Sequence, residues 1–256
     1  MAAPLHISIS AEPVLSFAGF PVTNSMLTSL IVSGLLIAFA LWVRVSLKKT
    51  DHPTGIQNLA EMIIEALYNL VQSVTGNAEK TNLFFPFIAT FFLFILVNNW
   101  FGLIPGVGTV GFFEKTGEHV FIPYLRAGTA DINMTLALAL ISVTFIQIFG
   151  VKYLSIGYFS KFINFSNPLN FVVGILEIVS ELSRIISFAF RLFGNIFAGE
   201  VLLAVMTYLT KIIGPMPFYG MEIFVGFIQA LVFAMLSVVL FNIATIGHGA
   251  EHGAEH

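Results

Sequence analysis

Cysteine is absent from all 256 residues of this chain. That excludes disulfides, thiol catalysis and cysteine-ligated metal centres together, and leaves the redox character of the compartment open. Charge is scarce too: Asp, Glu, Lys and Arg make up 10% of the residues, where an ordinary soluble domain has about 25%. A net charge of -3 with scattered basic residues excludes a nucleic-acid surface and a polybasic lipid anchor. No P-loop, HExxH or GxSxG occurs, so the chain has no seat for ATP chemistry or for those hydrolase reactions, and it implies no cofactor. The six His all fall in tails or loops. Of these, His248, His252 and His256 read as part of a polar C-terminal tail rather than as metal ligands, and no metal site is expected.

What fills the chain instead is apolar: 57% of the residues are hydrophobic, and Phe alone occurs 28 times. This composition belongs to an all-α integral membrane protein. The first 23 residues hold no Lys or Arg and include Pro4, Pro13 and Pro21, which reads as a translocated tail and not as a signal peptide. Residues 24–246 read as a single helical membrane domain, and residues 247–256 as the polar tail.

A spanning helix needs about 20 predominantly apolar residues. The first such stretch runs from about Asn24 to Val45, after an N-cap-like Thr23-Asn24. Residues 52–76 differ, because Leu59, Met62, Ile63, Ala66, Leu67 and Leu70 recur at helical spacing while Gln57, Asn58, Glu61, Glu65 and Gln72 fall elsewhere. That pattern predicts an amphipathic helix lying at a membrane surface. Further spans are predicted from about Leu83 to Ile104 and from about Thr129 to Val151, joined by a polar, Gly-rich loop. From about Pro168 to Leu209 one apolar pattern continues without a proline, long enough for a steeply tilted helix or one with a shallow kink at Gly194 or Gly199. A last helix runs from about Phe218 to Ile246. The expectation is five membrane-embedded helices and one interfacial helix, the last two long and tilted.

Positive flanks set orientation. Arg44, Lys48, Lys49, Lys80, Lys152 and Lys161 fall on one side and Lys115, Arg126 and Lys211 on the other, which places the N-terminus outside and the C-terminus in the cytoplasm. The two remaining basic residues, Arg184 and Arg191, lie within the long helix. An arginine at the centre of a membrane helix costs about 2.5 to 3.5 kcal/mol on insertion scales, so it faces water or partner groups. At about 100° per residue, Glu177, Glu181, Arg184, Arg191, Asn195 and Gly199 share one stripe of the helix. Arg184 has Glu181 at i-3 and Glu177 close by, which suits either a structural salt-bridge ladder or a pathway. Arg191 has only Ser187, Phe188, Gly194 and Asn195 within a turn. Its counter-charge must come from another helix, from water or from another subunit.

Three more carboxylates are buried by pattern, namely Asp131, Glu200 and Glu222. The orientation puts all three in the outer half of the membrane and Glu177 and Glu181 in the inner half. Asp131, within TADIN, reads as either a helix N-cap or part of a proton pathway. Glu200 and Glu222 have no basic residue at i±3 or i±4, so both read as lone buried carboxylates suited to carrying protons. Gln229 shares a helix face with Glu222.

RLFGNIFAGE, with FIQALVF on the next helix, resembles subunit a of the F-type ATP synthase, and the likeness extends through HPTGIQNLAEMIIE, NNWFGLIPG and TADINMTLALAL, from about Asn24 to Asn242. The resemblance implies a membrane stator beside a rotating ring of c subunits, held by peripheral-stalk b subunits, with ATP bound only by other subunits. It implies that Arg191 is the indispensable arginine facing the ring carboxylates and separating two offset half-channels. Glu200, Glu222, Asn195, Gln229 and Asp131 would serve the outer half-channel, Glu177 and Glu181 the inner one, with Arg184 and Ser187 structural or part of the path. The membrane would be an energy-transducing one, bacterial plasma membrane first and mitochondrial inner membrane second. The rival is a stand-alone secondary transporter, which requires inverted repeats and broken helices that the sequence does not show.

Overall fold

The structure, a computed structural model, describes residues 8–17, 19–46, 55–113, 121–155, 157–158, 162, 168–211 and 213–245. Lys48, Lys49, Lys115, Lys161 and the tail at 247–256, with its three His, lie outside the described residues.

Before the first helix, β1 (Pro13–Phe17) and β2 (Phe20–Thr23) pair antiparallel, so part of the expected tail is a hairpin. Helix α1 (Asn24–Ser46) follows at once, and Thr23 Oγ1 accepts from the Met26 amide at 3.3 Å as a cap does. Most of its apolar side chains, among them Leu30, Leu35, Ile37, Phe39 and Trp42, point outward, as suits a helix against lipid. Helix α2 (Ile56–Thr75) buries Leu67 and Val71 and leaves Leu59, Met62, Ile63 and Leu70 exposed, as the interfacial reading requires. It stops at Gly76, whose left-handed backbone (φ 62°) lets its N–H reach Gln72 O at 2.9 Å.

Helix α3 (Ala78–Gly102) begins earlier than the hydrophobic run because Asn77 caps it, accepting from the amides of Glu79 at 2.8 Å and Lys80 at 3.4 Å. The predicted loop beyond it contains β3 (Pro105–Gly108), the paired strands β4 (Gly111–Phe113) and β5 (Phe121–Pro123), and a single 3-10 turn at Gly128–Ala130. Helix α4 (Ile132–Leu154) runs back across, then α5 (Pro168–Thr210) and α6 (Pro215–Ala244). Helix α6 starts at Pro215, earlier than expected, since proline fits the first turn of a helix. Helix α5 is one continuous helix of 43 residues, about 64 Å at ~1.5 Å per residue.

Helices α1, α3, α4 and α6 are long and apolar enough to cross a membrane. Helix α5 exceeds them in length, carries Glu177, Glu181, Arg184, Arg191 and Glu200, and packs against α4 and α6. The protein is therefore an all-α integral membrane protein, with four helices suited to spanning and two more, α2 and the long α5, among the described residues. Lipid tails are as apolar as phenylalanine, so shape and interhelical hydrogen bonds hold the bundle together. The core meets both needs. Phe84 packs on Phe149 and Phe241 with ring centroids 5.0 and 5.5 Å apart, and Phe233 contacts Phe91 and Phe188. Ser142 on α4 and Ser237 on α6 share a hydrogen bond of 3.0 Å.

Two polar ends bracket this core. The hairpins, the 3-10 turn, the end of α3 and the starts of α4 and α6 form one, called here the hairpin end. At the other, Lys80 Nζ donates to Thr245 Oγ1 at 2.9 Å, and Asn242 Nδ2 donates to Val74 O at 3.1 Å.

Candidate functional site

Helix α5 carries its polar residues from one end of the bundle to the other. Nearest its start, Arg184 Nη1 lies 2.8 Å from Glu181 Oε1, and Arg184 Nη2 lies 4.0 Å from Glu177 Oε1. The i,i+3 spacing brings the first pair together, so the ladder reading of Arg184 has the geometry it requires.

Two turns further on, Arg191 is exposed, and its Nη2 donates to Ser187 Oγ at 3.3 Å. Among the described residues no carboxylate comes within ion-pair distance of it. Ser187, Phe190, Arg191, Asn195 and Ala198 are all exposed along α5, while Phe188, Ala189, Leu192 and Ile196 are buried. The arginine thus stands on a face that the other described residues do not cover.

Beyond it the polar groups turn inward and meet α6. Asn195 Nδ2 donates to Gln229 Oε1 at 2.7 Å. Gly199 lies against the Glu222 carboxyl so closely that a Cβ there would overlap it. Glu222 is 5% exposed and forms no ion pair or hydrogen bond among the described residues. Gly226 lies between Glu222 and Gln229, and its carbonyl accepts from Asn99 Nδ2 at 2.9 Å. Trp100 Nε1 donates to Ile223 O at 3.0 Å, so α3 pins α6 at two points beside the acid.

Glu200 departs from the sequence expectation. It is not a lone carboxylate, because Arg126 from the loop before α4 holds it with Nε at 2.9 and 3.0 Å and Nη2 at 2.9 Å. Arg126 is the residue that sequence reasoning missed. Counted only as an outside loop charge, it is 7% exposed, and its guanidinium also lies 5.8 Å from the Phe197 ring centroid. The available signal was that the orientation count put Arg126 and Glu200 on the same side of the membrane.

A cavity of ≈ 510 Å³ opens at the hairpin end, with Arg126, Glu200, Glu222, Asn99, Tyr208 and Tyr219 among its lining. Water entering it would meet both carboxylates, with Gln229 and Asn195 next toward Arg191. Asp131 is not part of this lining. It is 4% exposed, its Oδ1 accepts from Asn133 N at 3.0 Å, and its Oδ2 accepts from Ser25 Oγ at 2.8 Å. Of its two sequence readings, this is the geometry of the cap. No cluster of three potential metal ligands occurs among the described residues.

The family model described as ATP synthase A chain matches residues 26–242. ATP synthase subunit a of Syntrophobacter fumaroxidans (strain DSM 10017 / MPOB) is 32% identical over 238 residues, covering 93% of this chain and 90% of that protein. The chloroplastic ATP synthase subunit a of Stigeoclonium helveticum is 34% identical over 233 residues, covering 91% and 89%.

Proposed function

The chain belongs to the ATP synthase subunit a family, and from that membership we propose that it is the proton-conducting stator of the membrane motor, with Arg191 separating two half-channels. One observation carries this reading. A permanent cation stands exposed on a membrane helix, on a face the other described residues leave uncovered, with no carboxylate among them to neutralise it. Burying such a charge against lipid is costly. A carboxylate presented by a neighbouring rotor would offset that cost, and each new carboxylate would do so in turn.

The proposed outer half-channel is the cavity at the hairpin end, which supplies water to Glu222 and Glu200. From there a proton reaches a rotor carboxylate near Asn195 and Gln229, neutralises it and frees it from Arg191. The neutral site then rotates into lipid, which a charged one enters only at high cost. After nearly a full turn the proton leaves toward Glu177 and Glu181, at the far end of α5. Arg191 blocks the direct route because a proton cannot bind a guanidinium that is already fully protonated. A potential of 100 mV supplies about 2.3 kcal/mol per charge, so the rotor must sum several protons for each ATP made elsewhere in the complex. The continuity of α5 supports this reading over a stand-alone transporter, which builds its site from broken helices.

The test is Arg191→Ala in the assembled complex, with ion-driven ATP synthesis as the readout. Synthesis is expected to fall to background. Retained coupling would remove Arg191 from the centre of the mechanism.

A further inference from the structure

Arg126 joins three stretches of chain that are remote in sequence. Its Nε and Nη2 hold both oxygens of Glu200 on α5. Its Nη2 also donates to Ser8 O at 2.9 Å and its Nη1 to Ser10 O at 3.4 Å, both in the segment before β1. Its own amide donates to Thr28 Oγ1 on α1 at 3.2 Å. The guanidinium presents five N–H donors in a rigid plane, a fork suited to gripping a carboxylate and two carbonyls at once.

The position of the pair gives this grip a consequence. A second, smaller cavity of ≈ 90 Å³ is lined by Ser8, Glu12, Asn24, Arg126, Glu200 and Val201, among others. Arg126 and Glu200 line both this cavity and the larger one that contains Glu222. The ion pair is therefore a shared wall. Only Glu222, of the two carboxylates in the larger cavity, is without an ion pair among the described residues.

We propose that Arg126 is a positioning residue of the outer half-channel: it docks residues 8–10 onto α5 through Glu200 and fixes the Glu200 carboxylate in the wall facing Glu222. The inference rests on the ion-path reading above and gives the N-terminal segment and the loop before α4 a part in it. Removing the fork frees both the carboxylate and the segment. A lysine keeps the charge but lacks the planar fork, so it restores the grip only in part.

The absence of cysteine makes the docking directly readable. Ser8→Cys and Ala204→Cys introduce thiols at two positions lining the smaller cavity. In assembled complexes a short bifunctional thiol reagent is expected to link them, and Arg126→Gln is expected to lower the yield at least about five-fold, a modest estimate for losing hydrogen bonds to a charged group. Proton flux per assembled complex is read in parallel. Arg126→Gln is expected to reduce it at least about ten-fold and Arg126→Lys about three-fold, graded by the bonds each leaves. A merely structural role would lower the amount of assembled complex and leave flux per complex unchanged, which would overturn the proposal. An unchanged cross-link yield would overturn it as well. If Arg126→Gln fails to assemble, Arg126→Lys decides on the same two readouts. Glu200→Gln separates the two ideas: undiminished flux there would sink the ion-path reading of Glu200, while the cross-link still reports on the docking.

Discussion

Asn195 and Gln229 tie α5 to α6 through a hydrogen bond of 2.7 Å, one turn beyond Arg191 on the side of the cavity. The two partners are unequally placed, since Gln229 is 5% exposed and Asn195 lies on the open face. Removing either one therefore leaves a different orphan.

Asn195→Leu strands the amide oxygen of a buried glutamine, whereas Gln229→Leu leaves an asparagine free to find water or a rotor group. A stranded buried polar group costs about 1–3 kcal/mol, and a hydrogen bond lost without one costs about 1 kcal/mol. Thermal unfolding of the assembled complex should thus show the larger loss for Asn195→Leu. Equal losses would mean that Gln229 finds a replacement partner. A double-mutant cycle with the two alanine variants should give a coupling near 0.6 kcal/mol, the average for polar pairs in membranes.

Gly199→Ala tests the contact with Glu222. The added Cβ would overlap the Glu222 carboxyl, which is the far end of a flexible side chain and can swing aside. Helix propensity gains about 0.8–1.0 kcal/mol from the same change, so stability should remain within about 1 kcal/mol of the starting protein. Proton flux should nevertheless fall, because the carboxylate no longer sits where the cavity leads. Adding Glu222→Asp, with its shorter side chain, should recover part of that flux. A variant with unaltered flux would show that the position of Glu222 is unimportant to the path.

Much of this was legible in the sequence wherever neighbours are local. The continuity of α5 followed from the lack of proline between Pro168 and Pro215, the Arg184–Glu181 pair from i,i+3 spacing, and the isolation of Arg191 from its own turns. Periodicity reports only what lies on the same helix. It could not show that Arg126 reaches Glu200 across 74 positions, or that Ser25 reaches Asp131 across 106. The lone carboxylate expected at Glu200 was an inference from its own helix, and a loop arginine overturned it. The short strands were missed because Gly and Pro in the loop signal turns far more strongly than three-residue strands signal pairing.

Gly128 provides a stability test at the base of the site. It sits in the 3-10 turn, and a Cβ there would strike both Ser29 Oγ and Asn98 Oδ1. Those two atoms share a buried hydrogen bond of 3.2 Å between α1 and α3. Gly128→Ala should destabilise the protein by about 1–3 kcal/mol, the usual range for overpacking. The readout is the unfolding midpoint of the assembled complex. No shift would mean that the turn moves freely against α1 and α3.

Asp131 separates a structural acid from a conducting one. Its Oδ1 caps α4 by accepting from Asn133 N, and its Oδ2 accepts from Ser25 Oγ, so both oxygens act within the protein. Asparagine caps helices as well as aspartate does, and its amide oxygen can still accept from Asn133 N. Alanine cannot cap, and it also leaves the Ser25 hydroxyl buried without that partner. If Asp131 is a cap, Asp131→Asn should assemble normally and conduct protons at close to the starting rate, while Asp131→Ala should lose about 1–2 kcal/mol of stability. If Asp131 carries protons, the order changes: Asp131→Asn retains its stability but loses flux, because an amide does not exchange a proton as a carboxyl does. Measuring flux and thermal stability on the same two variants distinguishes these patterns. The hydrogen bonds at both oxygens, and the absence of Asp131 from the cavity lining, predict the first.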